Sequence, residues 1–386
     1  MKAMNSKQFV TRFLYSSFIL LVVIGLFNRI VDPFWYYRDI EIKGFNTIKP
    51  KFRRYERYVK PALLMREQPE AIILGSSFSE IGFDSTNSAF TDQGQMKSMN
   101  FALAGAPWDM VQCNFEFAVT HSNIKRALVG FSPGNLPIVN CAKDFKALGQ
   151  ISIGELLISD RSLAASISTI FEQKKENPSH TREGMYFYIR GHAGVDNQFR
   201  EFFTRRIQNN PQCLDVANTS DKVISPISES NFDLSGLQRM IKTAQAHGIE
   251  LVLFAYPSHA YSLELSKQCG ELDAHWQAMK QIATLIEKES SGDVRAWHFY
   301  GFNDVTAEPI GTNAAMYWQD PEHFNFEMGN MMLANMFDKA PNQPVFGHRF
   351  SSNSIDADYR NFLLQRSEYL QSHPEFKANM KKLLFK

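Results

Sequence analysis

Short apolar runs, each cut off by glycine or serine, recur along the chain and alternate with longer stretches of helical period. Glu70-Ala-Ile-Ile-Leu74 runs into Gly75-Ser76-Ser77, Ser98-Met-Asn-Phe-Ala-Leu-Ala104 stops at Gly105, and Arg126-Ala-Leu-Val-Gly-Phe131 ends in Ser132-Pro-Gly-Asn135. Each reads as a buried strand entering a turn. Asn231-Phe-Asp-Leu-Ser235 opens a helix that continues through Leu237, Met240, Ile241 and Ala244 to Gly248. Ile249 to Ala255 is then a fourth strand, residues 274 to 289 a helix, and Val294-Arg-Ala-Trp-His-Phe299 a fifth strand. Strands alternating with helices predict an α/β fold, a doubly wound parallel sheet covered on both faces.

Two regions break the alternation. Residues 141–230 carry polar stretches such as Glu172-Gln-Lys-Lys-Glu-Asn-Pro-Ser179 and are expected to form a mostly helical insertion. Beyond residue 340 the chain turns polar, with Ser351-Ser-Asn-Ser354, and finishes in a basic helical tail. The expected organisation is therefore a cytoplasmic tip and anchor (1–37), a connector (38–69), a main domain (70–340) and a polar, helical tail (341–386).

The N-terminus sets the compartment. Lys2, Lys7 and Arg12 precede an apolar run from Phe13 to Phe27, and Trp35, Tyr36 and Tyr37 follow it. Fifteen residues span only about 22 Å as a helix, short of a hydrocarbon core of roughly 30 Å. Phe9 and Val10 lengthen the run if Arg12 snorkels to the headgroups. A cleaved signal peptide and a buried core helix are the alternatives. Gly25-Leu-Phe-Asn-Arg29 is a poor cleavage site, and a core helix fits badly beside a charged terminus. An uncleaved anchor in the inner membrane is expected, single-pass, with a cytoplasmic N-terminus. The Trp-Tyr-Tyr cluster would form an aromatic belt at the outer interface, and everything beyond about residue 38 would be periplasmic or extracellular.

The net charge of +1, from 41 basic and 40 acidic residues, gives no footing to a nucleic-acid partner. None of Cys113, Cys141, Cys213 and Cys269 makes a C-x-x-C pair, so zinc-ribbon and thioredoxin-like motifs are not indicated. One or two disulfides and four buried thiols remain equally open. There is no compelling metal site and no phosphate-binding glycine loop, and no cofactor is expected.

Ligands of doubly wound sheets bind beyond the carboxyl ends of the strands, where this chain offers Ser77, Gly105 and Asn135. A serine hydroxyl at a tight strand-to-helix turn suits an acyl-transfer nucleophile, although a Gly-Ser-Ser turn is also a common helix cap. Among ten histidines only His323 has an aspartate, Asp320, three residues before it. A general base needs a carboxylate to hold its tautomer, and Asp320 can equally cap a helix with Pro321 at its first position. Ser76 and Ser79 are rival hydroxyls. His259 in Tyr256-Pro-Ser-His259 and Trp318 are candidates to line a substrate cleft, against plainer readings as a locally bonded loop histidine and a core aromatic. His298, inside a strand, is taken as structural.

Taken together these blocks resemble the SGNH hydrolase superfamily. There a Gly-Asp-Ser block follows the first strand, an oxyanion glycine and an oxyanion asparagine follow later strands, and a C-terminal Asp-x-x-His completes the triad. Gly75-Ser76-Ser77 matches the first block with serine for aspartate, Asn100-Phe-Ala-Leu-Ala-Gly105 looks like the second, and Asp320-x-x-His323 matches the last. The third block departs, because Ser132-Pro-Gly-Asn135 stands in for Gly-x-Asn-Asp. The Gly-Ser-Ser version is similar to the membrane-anchored branch that includes alginate O-acetyltransferase-like proteins and the teichoic-acid D-alanylation protein.

The resemblance implies an SGNH-like three-layer domain with Ser77 as nucleophile, His323 as base and Asp320 as its orienting carboxylate. Backbone N–H groups of Ser77 and Gly105, with Asn135, would hold the oxyanion. It implies O-acyl, most simply acetyl, transfer or ester hydrolysis on a cell-surface polysaccharide, with an acyl donor and a multispanning membrane acyltransferase as partners. The altered third block motivates the alternative, a non-catalytic polymer-binding or scaffolding component of an envelope complex.

Overall fold

The computed structural model describes residues 5–141, 152–174, 180–187, 194–209, 231–290, 292–312, 315–337 and 346–385. In chain order the first elements are α1 (Ser6–Val31), α2 (Phe52–Glu67), β1 (Ala71–Leu74), α3 (Ser77–Gly82), β2 (Ser98–Asn100), α4 (Trp108–His121) and β3 (Arg126–Phe131). Then come α5 (Ile153–Ile158), α6 (Asp160–Phe171), α7 (Val195–Asn209), α8 (Ser235–Ala246), β4 (Glu250–Ala255), α9 (Ala260–Gln268) and α10 (Glu271–Glu289). β5 (Val294–His298), α11 (Phe326–Phe337), β6 (His348–Phe350), α12 (Ile355–Ser372) and α13 (Glu375–Phe385) complete them. The chain divides into two compact units, residues 1–67 with 146–182 and residues 68–145 with 183–386.

In the first unit α1 is longer than the apolar run alone predicts. Its 26 residues span about 39 Å, and it is long and apolar enough to cross a membrane, with none of its most apolar stretch buried. Asn5 caps its start by accepting from the Lys7 amide, and Asp32 ends it in the left-handed region at φ 46°. The buried Asp32 carboxylate then accepts the backbone N–H groups of Tyr36, Tyr37 and Arg38 at 2.7, 3.0 and 2.8 Å. That turn draws Trp35 into the interior, against Phe52 at 5.5 Å between ring centroids. An aromatic belt that includes Trp35 is therefore corrected, because the indole is buried. Near the C-terminal end of α1, the Asn28 amide donates to Leu157 O at 2.6 Å, and Gln173 bonds both the N–H and the C=O of Ile48. Part of the stretch expected as a single insertion thus folds with the N-terminal segments.

The second unit holds one six-stranded sheet in the order β2-β1-β3-β4-β5-β6. The first five strands pair in parallel and β6 pairs antiparallel with β5. β1 is buried along its whole length, and β3 and β4 after their first residues. Near-continuous apolar runs are what strands covered on both faces require. Residues 341–386, set apart in the sequence as a tail, contribute β6 and two helices to this unit. Arg366 of α12 clamps the fully buried Glu264 through two nitrogens at 2.6 and 2.7 Å.

Within the parallel part, β1 lies between β2 and β3. The chain leaves β1 for one neighbour and returns across it to the other, so the connections diverge there. Such a switch point opens a crevice beyond the carboxyl ends of the strands, and the turn carrying Ser77 lies at that point. Gly329 of α11 lets this helix meet α3, since a Cβ there would lie 1.7 Å from Gly82 O. Cys113 and Cys141 form a disulfide from α4 to the chain beyond β3. Cys269 is also disulfide-bonded, and Cys213 lies outside the described residues.

Candidate active site

Ser77 is the first residue of α3, half-buried at the end of β1. Gly75 makes the turn with φ +144°, and a Cβ there would come within 2.3 Å of Ser79 Oγ and 2.4 Å of Tyr256 Oη. Only glycine meets both demands. The Tyr256 hydroxyl accepts the Ser76 N–H at 2.8 Å and donates to Gly130 O at 3.0 Å. Asn100 supports the other side of α3, donating to Ser79 O at 3.0 Å and Phe83 O at 2.9 Å. The turn carrying Ser77 is thereby tied to β2, β3 and the end of β4.

His323 and Asp320 come from a tight loop rather than from a helix start. Trp318 bridges Phe324, and the Gln319 N–H donates to His323 O at 2.8 Å. The next helix, α11, begins only at Phe326. Asp320 Oδ1 accepts the N–H groups of Glu322 and His323 at 3.0 and 2.8 Å, so one carboxylate oxygen shapes the loop. The other, Oδ2, lies 2.8 Å from His323 Nδ1. His323 Nε2 in turn lies 2.8 Å from Ser77 Oγ. The fold brings the hydroxyl, imidazole and carboxylate into one hydrogen-bonded line across 246 positions of sequence.

Electrostatics fit the line. Asp320 is 1% exposed. Burial is the strongest influence on its carboxyl and pushes the pKa up, but the hydrogen bond and charge of His323 and the two backbone N–H groups outweigh it. The net shift is downward, so Asp320 stays ionised and holds the proton of His323 on Nδ1. Nε2 is then free to accept from Ser77. Phe78 packs against the His323 ring with centroids 4.5 Å apart and planes tilted by 32°. Beside the imidazole opens a cavity of about 600 Å³, bordered by Glu322, Arg205, Asn209, Ser258 and His275. Burial pushes the Glu322 carboxyl up.

The other sequence candidates divide. Gly105 is exposed, with φ +63°, beyond β2. Asn135 is exposed beyond β3, and its amide oxygen accepts the Asp233 N–H at 2.8 Å. Among the described residues no hydrogen bond joins either of them to Ser77. Ser79 is fully buried, which removes it as a rival nucleophile, while Ser76 sits at the turn with its Oγ buried.

His259 and Trp318 do not line an open cleft. Trp318 is 1% exposed, and its indole N–H donates to Val305 O at 2.7 Å. His259 is fully buried, with Nε2 2.9 Å from Glu308 O and Nδ1 accepting the Tyr261 N–H at 3.1 Å. Its backbone N–H donates to Pro321 O at 2.8 Å, so it secures the loop that carries Asp320 and His323 from behind. Tyr256 is the contributor that sequence reasoning passed over. Its position directly after β4, in the same stretch as His259, was the available signal.

Burial drives the His259 pKa down to about 4, against the backbone hydrogen bond to Glu308. The unfolded chain, with a histidine near 6.5, takes up the proton first. Stability is therefore expected to fall as pH drops from about 6.5 toward 4, by roughly 3 kcal/mol over that window from this group. Urea unfolding at pH 7 and pH 5 checks it. His259→Gln should narrow the difference between the two pH values, and an unchanged difference would exclude His259 as its source.

No protein-family model matches this chain, and no curated protein matches it either.

Proposed function

We propose that the protein is a serine-dependent O-acyltransferase or esterase acting on an exported cell-surface polysaccharide. The observation that carries this reading is the relay Ser77 Oγ to His323 Nε2 to Asp320, with both links at 2.8 Å. The order of sequence blocks resembling SGNH hydrolases supports it, as does the parallel strand order that sets Ser77 at a switch point.

His323 Nε2 takes the proton of Ser77 as Oγ attacks an acyl ester carbonyl. The oxyanion of the tetrahedral intermediate is held by the N–H groups of Ser77 and Gly105. The alcohol leaves with the proton from His323, and the acyl group remains on Ser77. A second alcohol, or water, then gives its proton to His323 and takes the acyl group, and His323 returns that proton to Ser77 Oγ as it leaves. A sugar hydroxyl in that step makes the protein a transferase, and water makes it an esterase.

The polysaccharide as substrate follows from the resemblance to the membrane-anchored branch. Two observations favour export. α1 is long and apolar enough to span a membrane, and disulfides are a feature of oxidising compartments. In this reading α1 is a single-pass inner-membrane anchor with a cytoplasmic N-terminus. The acyl group is delivered across the membrane by a multispanning acyltransferase.

A second reading, a polymer-binding scaffold without catalysis, is favoured by one feature. The third block lacks its aspartate, and the Asn135 amide oxygen is committed to Asp233. A fluorophosphonate probe on the full-length protein in detergent separates the two. Labelling is expected in the wild type and in Ser79→Ala and to be lost in Ser77→Ala. Labelling that survives Ser77→Ala would overturn Ser77 as the nucleophile.

A further inference from the structure

The antiparallel edge of the sheet holds a second cluster of titratable side chains that acyl transfer does not use. His298 ends β5, His348 opens β6, and the register pairs them directly. Directly opposed residues on neighbouring antiparallel strands bring their Cβ atoms to about 5 Å. The two imidazoles lie with centroids 5.4 Å apart and planes 25° from parallel. From α12, Asp358 directs Oδ2 to 4.0 Å from His298 Nε2.

The hydrogen-bond inventory of the cluster is incomplete. The His298 side chain is 2% exposed, yet among the described residues neither ring nitrogen has a hydrogen-bond partner, and neither does the buried Asp358 Oδ2. The surrounding walls include the rings of Trp276, Tyr300 and Phe350. A buried imidazole and a buried carboxylate oxygen left in this way are costly and call for a partner. His348, by contrast, is exposed, which gives the cluster an entry path.

We propose that His298, His348 and Asp358 bind one divalent transition cation, with zinc as the best fit. Two imidazoles and one carboxylate are a zinc ligand set, and the fourth position would face solvent beside His348. Zinc ligands at about 2.0–2.2 Å in a tetrahedral arrangement lie roughly 3.3 Å from one another. His298 Nε2 and Asp358 Oδ2 must therefore approach by less than about 1 Å, and the exposed His348 ring, stacked beside His298, must turn a nitrogen toward them. The ion would join β5, the short edge strand β6 and α12, and so stabilise the margin of the sheet.

The full-length protein in detergent, stripped with a chelator, is titrated with zinc chloride by calorimetry, and thermal unfolding is followed with and without the metal. One equivalent is expected to bind and to raise Tm, because an ion held only by the folded state stabilises it. His348→Ala, an exposed change that leaves the core intact, should weaken binding by more than about tenfold, and Asp358→Asn likewise. His121→Ala, at an exposed histidine on α4, should leave binding unchanged. Cobalt(II) in place of zinc should give visible absorption bands that disappear in His348→Ala. No binding, or binding of equal strength in His348→Ala, overturns the site and leaves ordered water as the partner of His298.

Discussion

Ser77→Ala is expected to reduce acyl transfer by roughly 10³-fold or more, the scale on which loss of a triad nucleophile acts, while the protein still accumulates and folds normally. The described hydrogen bond of the Ser77 hydroxyl is to His323, and the residue is half-buried at the turn. Its removal opens no core cavity, so stability should change by no more than about 0.5 kcal/mol. The measurement is the acyl content of the cell-surface polymer at matched protein level, followed by transfer from an activated acyl ester to an oligosaccharide with the purified protein. Normal acylation by Ser77→Ala at normal abundance would remove the enzymatic reading and leave the scaffold.

Asp320→Asn should be nearly as severe for a different reason, with kcat falling by about 10⁴-fold as it does when a triad aspartate becomes asparagine. The asparagine carbonyl can still accept the N–H groups of Glu322 and His323, so the loop keeps its shape. Its NH₂, now facing His323 Nδ1, can only donate. The imidazole proton is forced onto Nε2, which then cannot accept from Ser77. Circular dichroism should remain native while activity is lost. A pH effect accompanies this loss. The Asp320 pKa is lowered in the folded protein, so its stabilisation is present above the ordinary carboxylate value near 4 and disappears as pH falls through the lowered value. The asparagine variant lacks that stabilisation at neutral pH, and its stability should change less on acidification. Full activity in Asp320→Asn would separate the carboxylate from the chemistry.

Much of the site was legible because its members sit at punctuation marks that local physics imposes. Gly75-Ser76-Ser77 interrupts a buried strand, and Asp320-x-x-His323 is the one histidine block with an aspartate at that offset. What sequence reasoning misjudged were roles that depend on burial. His259 and Trp318 carry the right chemistry for a cleft but point into the interior, where His259 meets Glu308 O and Trp318 meets Val305 O. A local sequence does not reveal which side of a loop faces solvent. β6 has no sequence signal of its own, because three residues, His348-Arg349-Phe350, are too few for an alternation to show. The expected insertion, 141–230, takes in residues that group with the N-terminal segments, because contacts such as Asn28 with Leu157 span 129 positions and leave no local signal.

By itself the sequence determined the alternation of strands and helices, the apolar N-terminal helix and which side chains are candidates for the site. Hydrophobic period, glycine placement and side-chain chemistry are local properties, and they survive in a linear reading. Only the tertiary structure decided that Ser77, His323 and Asp320 share one hydrogen-bonded line and that Tyr256 braces the turn before Ser77. It also decided the pairing of Cys113 with Cys141 and the stacking of His298 against His348. Each of these depends on distances set by strand order and helix packing, which are global outcomes of burying one sheet.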